Sequence, residues 1–155
     1  MMGWANVSRS DLSGHSRQAF STELARRGMH VDAGKTRQPL EIFDAQNGRW
    51  ELAVRSSRGN SYSFVTKASF PMGERRLFGL AWYRSDVEDP WLLIIPLALW
   101  HTPWGRLGTV LKSRDYEGRE SPPEWGIDSQ RQLLSPFRLE DVVSDQGLFV
   151  FPTKP

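Results

Sequence analysis

The sequence contains no cysteine. That excludes disulfides, thiolate nucleophiles and cysteine-based zinc sites. It leaves the compartment to a default, which is cytoplasmic. No apolar run is long enough to cross a bilayer. The most apolar stretch, WLLIIPLALW, covers 91–100 and carries Pro96, against the roughly 20 residues that a spanning helix needs. The expectation is a buried segment and no membrane partner. The opening residues, MMGWANVSRSDLSGHSRQ, lack the apolar core of a signal peptide. Charge of one sign is not in excess either: 20 Lys and Arg nearly balance 18 Asp and Glu, for a formal net charge of +2. Attraction to nucleic acid must therefore come from local clustering.

Several motifs are missing too. There is no internal repeat, heptad or phosphate-binding glycine loop, and no Gly-x-Ser-x-Gly elbow to present a serine nucleophile. His15, His30 and His101 are too far apart in sequence to share a metal through one helix turn. Asp86, Glu88 and Asp89 read as a solvated acidic turn.

What is present suits one soluble domain. At 155 residues, with 39% hydrophobic and 25% charged residues, the chain is expected to have a flexible N-terminus over 1–12 and a single domain over 13–155 with a loop-rich final third. A helix is predicted over 14–27, where Ala19, Phe20 and Leu24 fall at helical spacing. Ser13 or Ser16 can cap it and Gly28 can stop it. MHVDAG is a brief extended piece, PLEIFDA (39–45) a strand, and Asn47-Gly48 a hairpin turn leading into RWELAVR. Another strand, SYSFVTK, follows the turn SSRGN. RRLFGLAWYRS (75–85) and 91–100 read as central strands apolar on both faces, with Trp50, Trp82, Trp91 and Trp100 as strand-borne core. SPFRLEDVVS is predicted helical, with Ser135 as cap and Pro136 in the first turn. These elements describe an α+β fold: one mixed sheet with an N-terminal helix packed on it.

The order of these elements over 14–100, with the phrases ELARRGMHV, PLEIF, AVRSS, SYSFV and FGLAWYRSDVEDPWLLIIPLALW, resembles the PD-(D/E)XK nuclease-like superfamily, in its small resolvase-like and intron-associated endonuclease branches. WGIDSQRQLLSPFRLEDV is loosely similar to tails seen there. The resemblance implies a restriction-endonuclease-like fold. It also implies chemistry in which carboxylates on neighbouring strands hold Mg²⁺ or Mn²⁺ through oxygen, and the ion activates a water for phosphodiester hydrolysis. A lysine two residues from one carboxylate shares its strand face, roughly 7 Å along.

Carried onto this chain, that pattern puts the first acid on Glu41 and the helix acid on Glu23, but the acid-x-Lys pair falls on Ala53 and Arg55. Alanine binds no metal, and arginine stays protonated, so it replaces a water-orienting lysine poorly. The main expectation is a degenerate site without a cofactor, in a protein that serves as a nucleic-acid-binding or accessory subunit. The DNA or RNA backbone would meet Arg55, Arg58, Asn60 and Lys67, with Lys35 and Arg37 ahead of the first strand. Two alternatives stay open. One is an active nuclease with Glu23, Glu41, Glu51 and Arg55 as its catalytic set and Glu41 and Glu51 as metal ligands. The other is a protein-interaction module using the loops around Trp104 and Trp125 and residues 112–135.

Overall fold

The structure is a computed structural model and describes residues 3–34, 38–58, 62–63, 74–85, 88–101, 125–126 and 135–152. Trp4–Asn6 form a single 3₁₀ turn, and the first long element, α1, spans Arg9–Arg26. Ser8 starts it. Its hydroxyl accepts from the Asp11 amide at 3.1 Å, and Asp11 places negative charge in the first turn. The helix thus begins ahead of Gly14, capped by Ser8 rather than Ser13 or Ser16, and 9–12 are helical. Gly28, at φ +95°, ends it. Its amide bonds back to the Ala25 carbonyl and the Met29 amide to that of Leu24, both at 3.1 Å. This is a Schellman motif, with Met29 and Leu24 both buried beside it.

The main sheet has five strands. They are β1 (His30–Asp32), β2 (Leu40–Phe43), β3 (Arg49–Arg58), β5 (Arg76–Tyr83) and β6 (Trp91–Pro96), hydrogen-bonded in the order β1-β2-β3-β5-β6. β3 and β5 are parallel and the other pairs antiparallel. β4 (Tyr62–Ser63) and β7 (Trp125–Gly126) form a separate two-stranded pair. A short helix α2 (Leu97–His101), a 3₁₀ turn (Ser135–Phe137) and α3 (Leu139–Val142) complete the described elements. The fold is α+β, with one mixed five-stranded sheet and an N-terminal helix.

Other elements differ from expectation as well. β3 continues through 56–58, where a turn was expected, because the parallel partner β5 meets Ser56, Ser57 and Arg58 at Ala81, Trp82 and Tyr83. The apolar run 91–100 is a strand only to Pro96, which faces Leu77 at the end of the pairing. Proline offers no further ladder donor, and the chain turns into α2, so Trp100 sits in a helix. The predicted helix over 135–144 is a 3₁₀ turn followed by the short α3.

The β2–β3 hairpin is wider than a two-residue turn. Asn47 takes the left-handed conformation at φ +61°, as a turn residue there must. Asp44 organises the rest. Its carboxylate accepts from the Gln46 and Gly48 amides at 2.9 and 2.8 Å and from the Trp50 indole at 3.0 Å. Burial works against the charge, but these bonds and nearby Arg75 outweigh it, so the Asp44 carboxyl lies below its usual range.

The sheet has two buried faces. Leu12, Ser16, Phe20 and Leu24 recur every fourth residue along α1 and are buried. The apolar three pack on Leu40, Ile42, Leu52, Leu77, Ala81, Leu92 and Ile94. The opposite face carries Ala53, Phe78, Leu80, Trp82, Leu93 and Ile95, packed with Leu97 and Leu99 of α2 and with Phe137. β5, covered on both sides, is buried from Leu77 to Tyr83.

Candidate functional site

Alternation along β2 and β3 decides which charged side chains can meet. Leu40, Ile42 and Leu52 face α1, so Glu41, Arg49, Glu51, Ala53 and Arg55 fall on the other face. Glu41 and Glu51 are direct cross-strand partners. Arg49 binds both, with Nη2 at 3.0 Å from Glu41 and 3.8 Å from Glu51. The hydrogen bond and charge of Glu41, then the charge of Glu51, push the Arg49 guanidinium further up from its usual value. Arg55 is exposed; its Nη1 donates to the Val54 carbonyl at 3.0 Å, and it meets no carboxylate among the described residues. Ala53 lies between these charges in sequence but not in environment. It is 4% exposed, in the cluster that holds Phe78 and Leu80.

Glu23 does not join this group. It lies on α1, on the other side of the sheet, where Arg26 pairs with it at 3.1 Å. The helix acid and the two strand acids are therefore not brought together, and no three His, Asp or Glu side chains are clustered for a metal among the described residues. The fit to Mg²⁺ or Mn²⁺ is poor on the donor set alone. Glu41 and Glu51 already share a cation, and the position that should supply another oxygen is a methyl group in an apolar cluster. His15 packs edge-on to Trp4, His30 lies beside Phe43, and Glu88 pairs with Arg84 at 3.5 Å.

The basic group is divided in the same way. Arg55 and Arg58 differ by an odd number of residues on one strand, so they project to opposite faces. Arg58 lies on the α1 side, paired in register with Tyr83. Its guanidinium donates to the backbone carbonyls of Ala5 and Val7. Lys35, Arg37, Asn60, Lys67 and Trp104 lie outside the described residues, and the Trp125 backbone belongs to β7.

A cleft of about 430 Å³ runs along α1, between that helix and the residues of β6 and α3. His15, Ala19, Thr22 and Glu23 form one wall, and Asp89, Pro90, Arg138 and Glu140 the other. Trp4 and Tyr83 line it as well, over an apolar floor of Leu92 and Leu139. The volume is that of a small-ligand site. Beside it, Ser16 donates to the Leu12 carbonyl at 2.9 Å. That bond uses its only proton, so Ser56 and Tyr83 must each donate to the Ser16 oxygen, at 2.6 and 2.9 Å. Burial raises the Tyr83 pKa, against the smaller opposing effects of Ser16 and Arg58. The hydroxyl keeps its proton, and the group fastens α1 to the sheet rather than offering a nucleophile.

Sequence reasoning missed this cleft. The available signal was His15, Thr22 and Glu23 on one side of a helix whose apolar stripe is narrow. No protein-family model, curated protein or solved structure matches the chain.

Proposed function

We propose that this chain is a non-catalytic protein on a PD-(D/E)XK nuclease-like scaffold, serving as an accessory subunit that touches nucleic-acid backbone through the Arg55 face of β3. The observation that carries the non-catalytic reading is the environment of Ala53. Where the resemblance asks for a carboxylate, there is a buried methyl group, and the two nearby acids are closed by Arg49. No hydrolytic step is derived through a metal at such a site. What remains on that face is a fixed cation, Arg55, suited to a phosphate contact that reads no sequence.

The experiment is a salt titration of binding to labelled single-stranded and duplex oligonucleotides. Arg55→Ala should weaken both about equally and lower the log–log salt slope by roughly 0.7 to 0.9, the increment for one lost phosphate contact. An unchanged slope moves the function to the cleft along α1. That cleft favours a second reading, a protein-interaction module, because its apolar floor and mixed-charge rim resemble a recognition groove.

A further inference from the structure

Arg58 ends β3 on the side of the sheet that carries α1. Among the described residues its guanidinium has no carboxylate partner. One terminal nitrogen donates to the Ala5 carbonyl at 3.3 Å and the other to that of Val7. Two oxygens of one short segment thus fill the donor fork, as two oxygens of a phosphate do in a bidentate contact. A phosphate would bring a negative charge to the same geometry. The segment supplying those carbonyls, residues 3–7, also contributes Trp4 to the lining of the cleft. Trp4 is its side-chain anchor: the indole nitrogen donates to the Glu88 carbonyl at 2.8 Å, and the ring leans on Tyr83 and His15 at 4.7 and 5.3 Å between centroids. The chain leaves this segment through extended backbone at Val7 and Ser8, before α1 begins.

We propose that Arg58 is a phosphate contact held under an N-terminal strap, residues 3–7, and that lifting the strap adds it to the nucleic-acid surface. The inference rests on the backbone-binding reading above and supplies its regulation. Arg55 and Arg58 lie about 10 Å apart along β3, on opposite faces of its final turns of pleat. A nucleic-acid chain passing the end of the strand can therefore reach both once Arg58 is free. Lifting the strap also withdraws Trp4 from the lining of the cleft, so the two surfaces are coupled through one segment.

The test is oligonucleotide binding by fluorescence anisotropy across a salt series, using the full chain and its Trp4→Ala, Asn6→Pro and Trp4→Ala/Arg58→Ala variants. Asn6→Pro removes the amide that bonds to the Gly3 carbonyl at 3.1 Å and leaves Trp4 and Arg58 in place, so it releases the strap if Trp4→Ala harms folding. Amide exchange at Val7, whose N–H donates to the Trp4 carbonyl at 3.2 Å within the strap, reports the release. Released variants should bind a single strand several-fold more tightly, with a log–log salt slope steeper by about 0.7. Both gains should vanish when Arg58 is also replaced. Release without a change in slope overturns the inference, and leaves the Arg55 reading standing if the intact protein binds. No binding by any variant overturns both, whereas binding only after release supports the strap.

Discussion

Glu41 and Glu51 stand opposite one another on β2 and β3, and Arg49, two residues before Glu51 on the same face, reaches both carboxylates. Like charges directly opposite on a sheet repel, and here a cation lies between them. The arrangement accounts for the acids without a metal, as an ion triplet on a partly exposed face in which one guanidinium offsets part of the charge of two carboxylates.

Replacing Arg49 with Met leaves the two carboxylates facing each other unscreened. Thermal melts should place Arg49→Met below the wild type, and adding Glu41→Gln should recover the loss. At about 1 M salt, where the screening length is only about 3 Å, the difference should shrink.

Ala53→Glu tests the other half of the arrangement. The new carboxylate would enter the cluster with Phe78 and Leu80, and burying an unpaired charge there should cost about 3 kcal/mol or more. Urea unfolding measures it. Wild-type stability in the variant would mean that this position opens toward solvent.

Ser16→Ala removes the acceptor shared by Tyr83 and Ser56. Leaving those hydroxyls unsatisfied should cost about 1 to 3 kcal/mol. Tyr83→Phe in the same background should recover part of it, since the orphaned donor is then gone. Denaturant unfolding of the two variants checks this.

Asp44 makes the hairpin sensitive to acid. Its folded-state pKa is depressed, through hydrogen bonds from Trp50, Gly48 and Gln46 and the charge of Arg75 that together outweigh burial. The stability it contributes is present above the unfolded value of about 3.9 and is lost as the pH falls through the folded value. The difference in melting temperature between wild type and Asp44→Asn should therefore be largest near neutrality and close as the pH falls through the depressed folded-state value. The Trp50 indole proton, which donates to Asp44, should shift over the same range.

Much of the fold was legible because local patterning and tertiary packing agree. β5 is apolar at nearly every position and is buried on both faces. Asn47 signals the hairpin and has the positive φ that the signal requires. What could not be read depends on partners distant in sequence. Ser56 and Ser57 look like turn residues, yet a parallel strand pairs with them and Ser16 takes the Ser56 hydroxyl. Asp44 looked like a strand end and is the residue that closes the hairpin. The site was less legible than the fold. Proximity in sequence suggested that Arg55 and Arg58 act together, whereas strand alternation sends them to opposite faces. Glu23 could be placed on a helix from sequence, but not on the far side of the sheet from Glu41 and Glu51.

The central claim is that this scaffold does not cut nucleic acid, and it is tested most directly by incubating plasmid DNA with the purified chain in Mg²⁺ and in Mn²⁺. The account predicts that the supercoiled substrate survives in both. Cleavage by the unmodified protein, abolished by Glu41→Ala or Glu51→Ala, would contradict it and show that the Arg49-bridged pair is a working metal site.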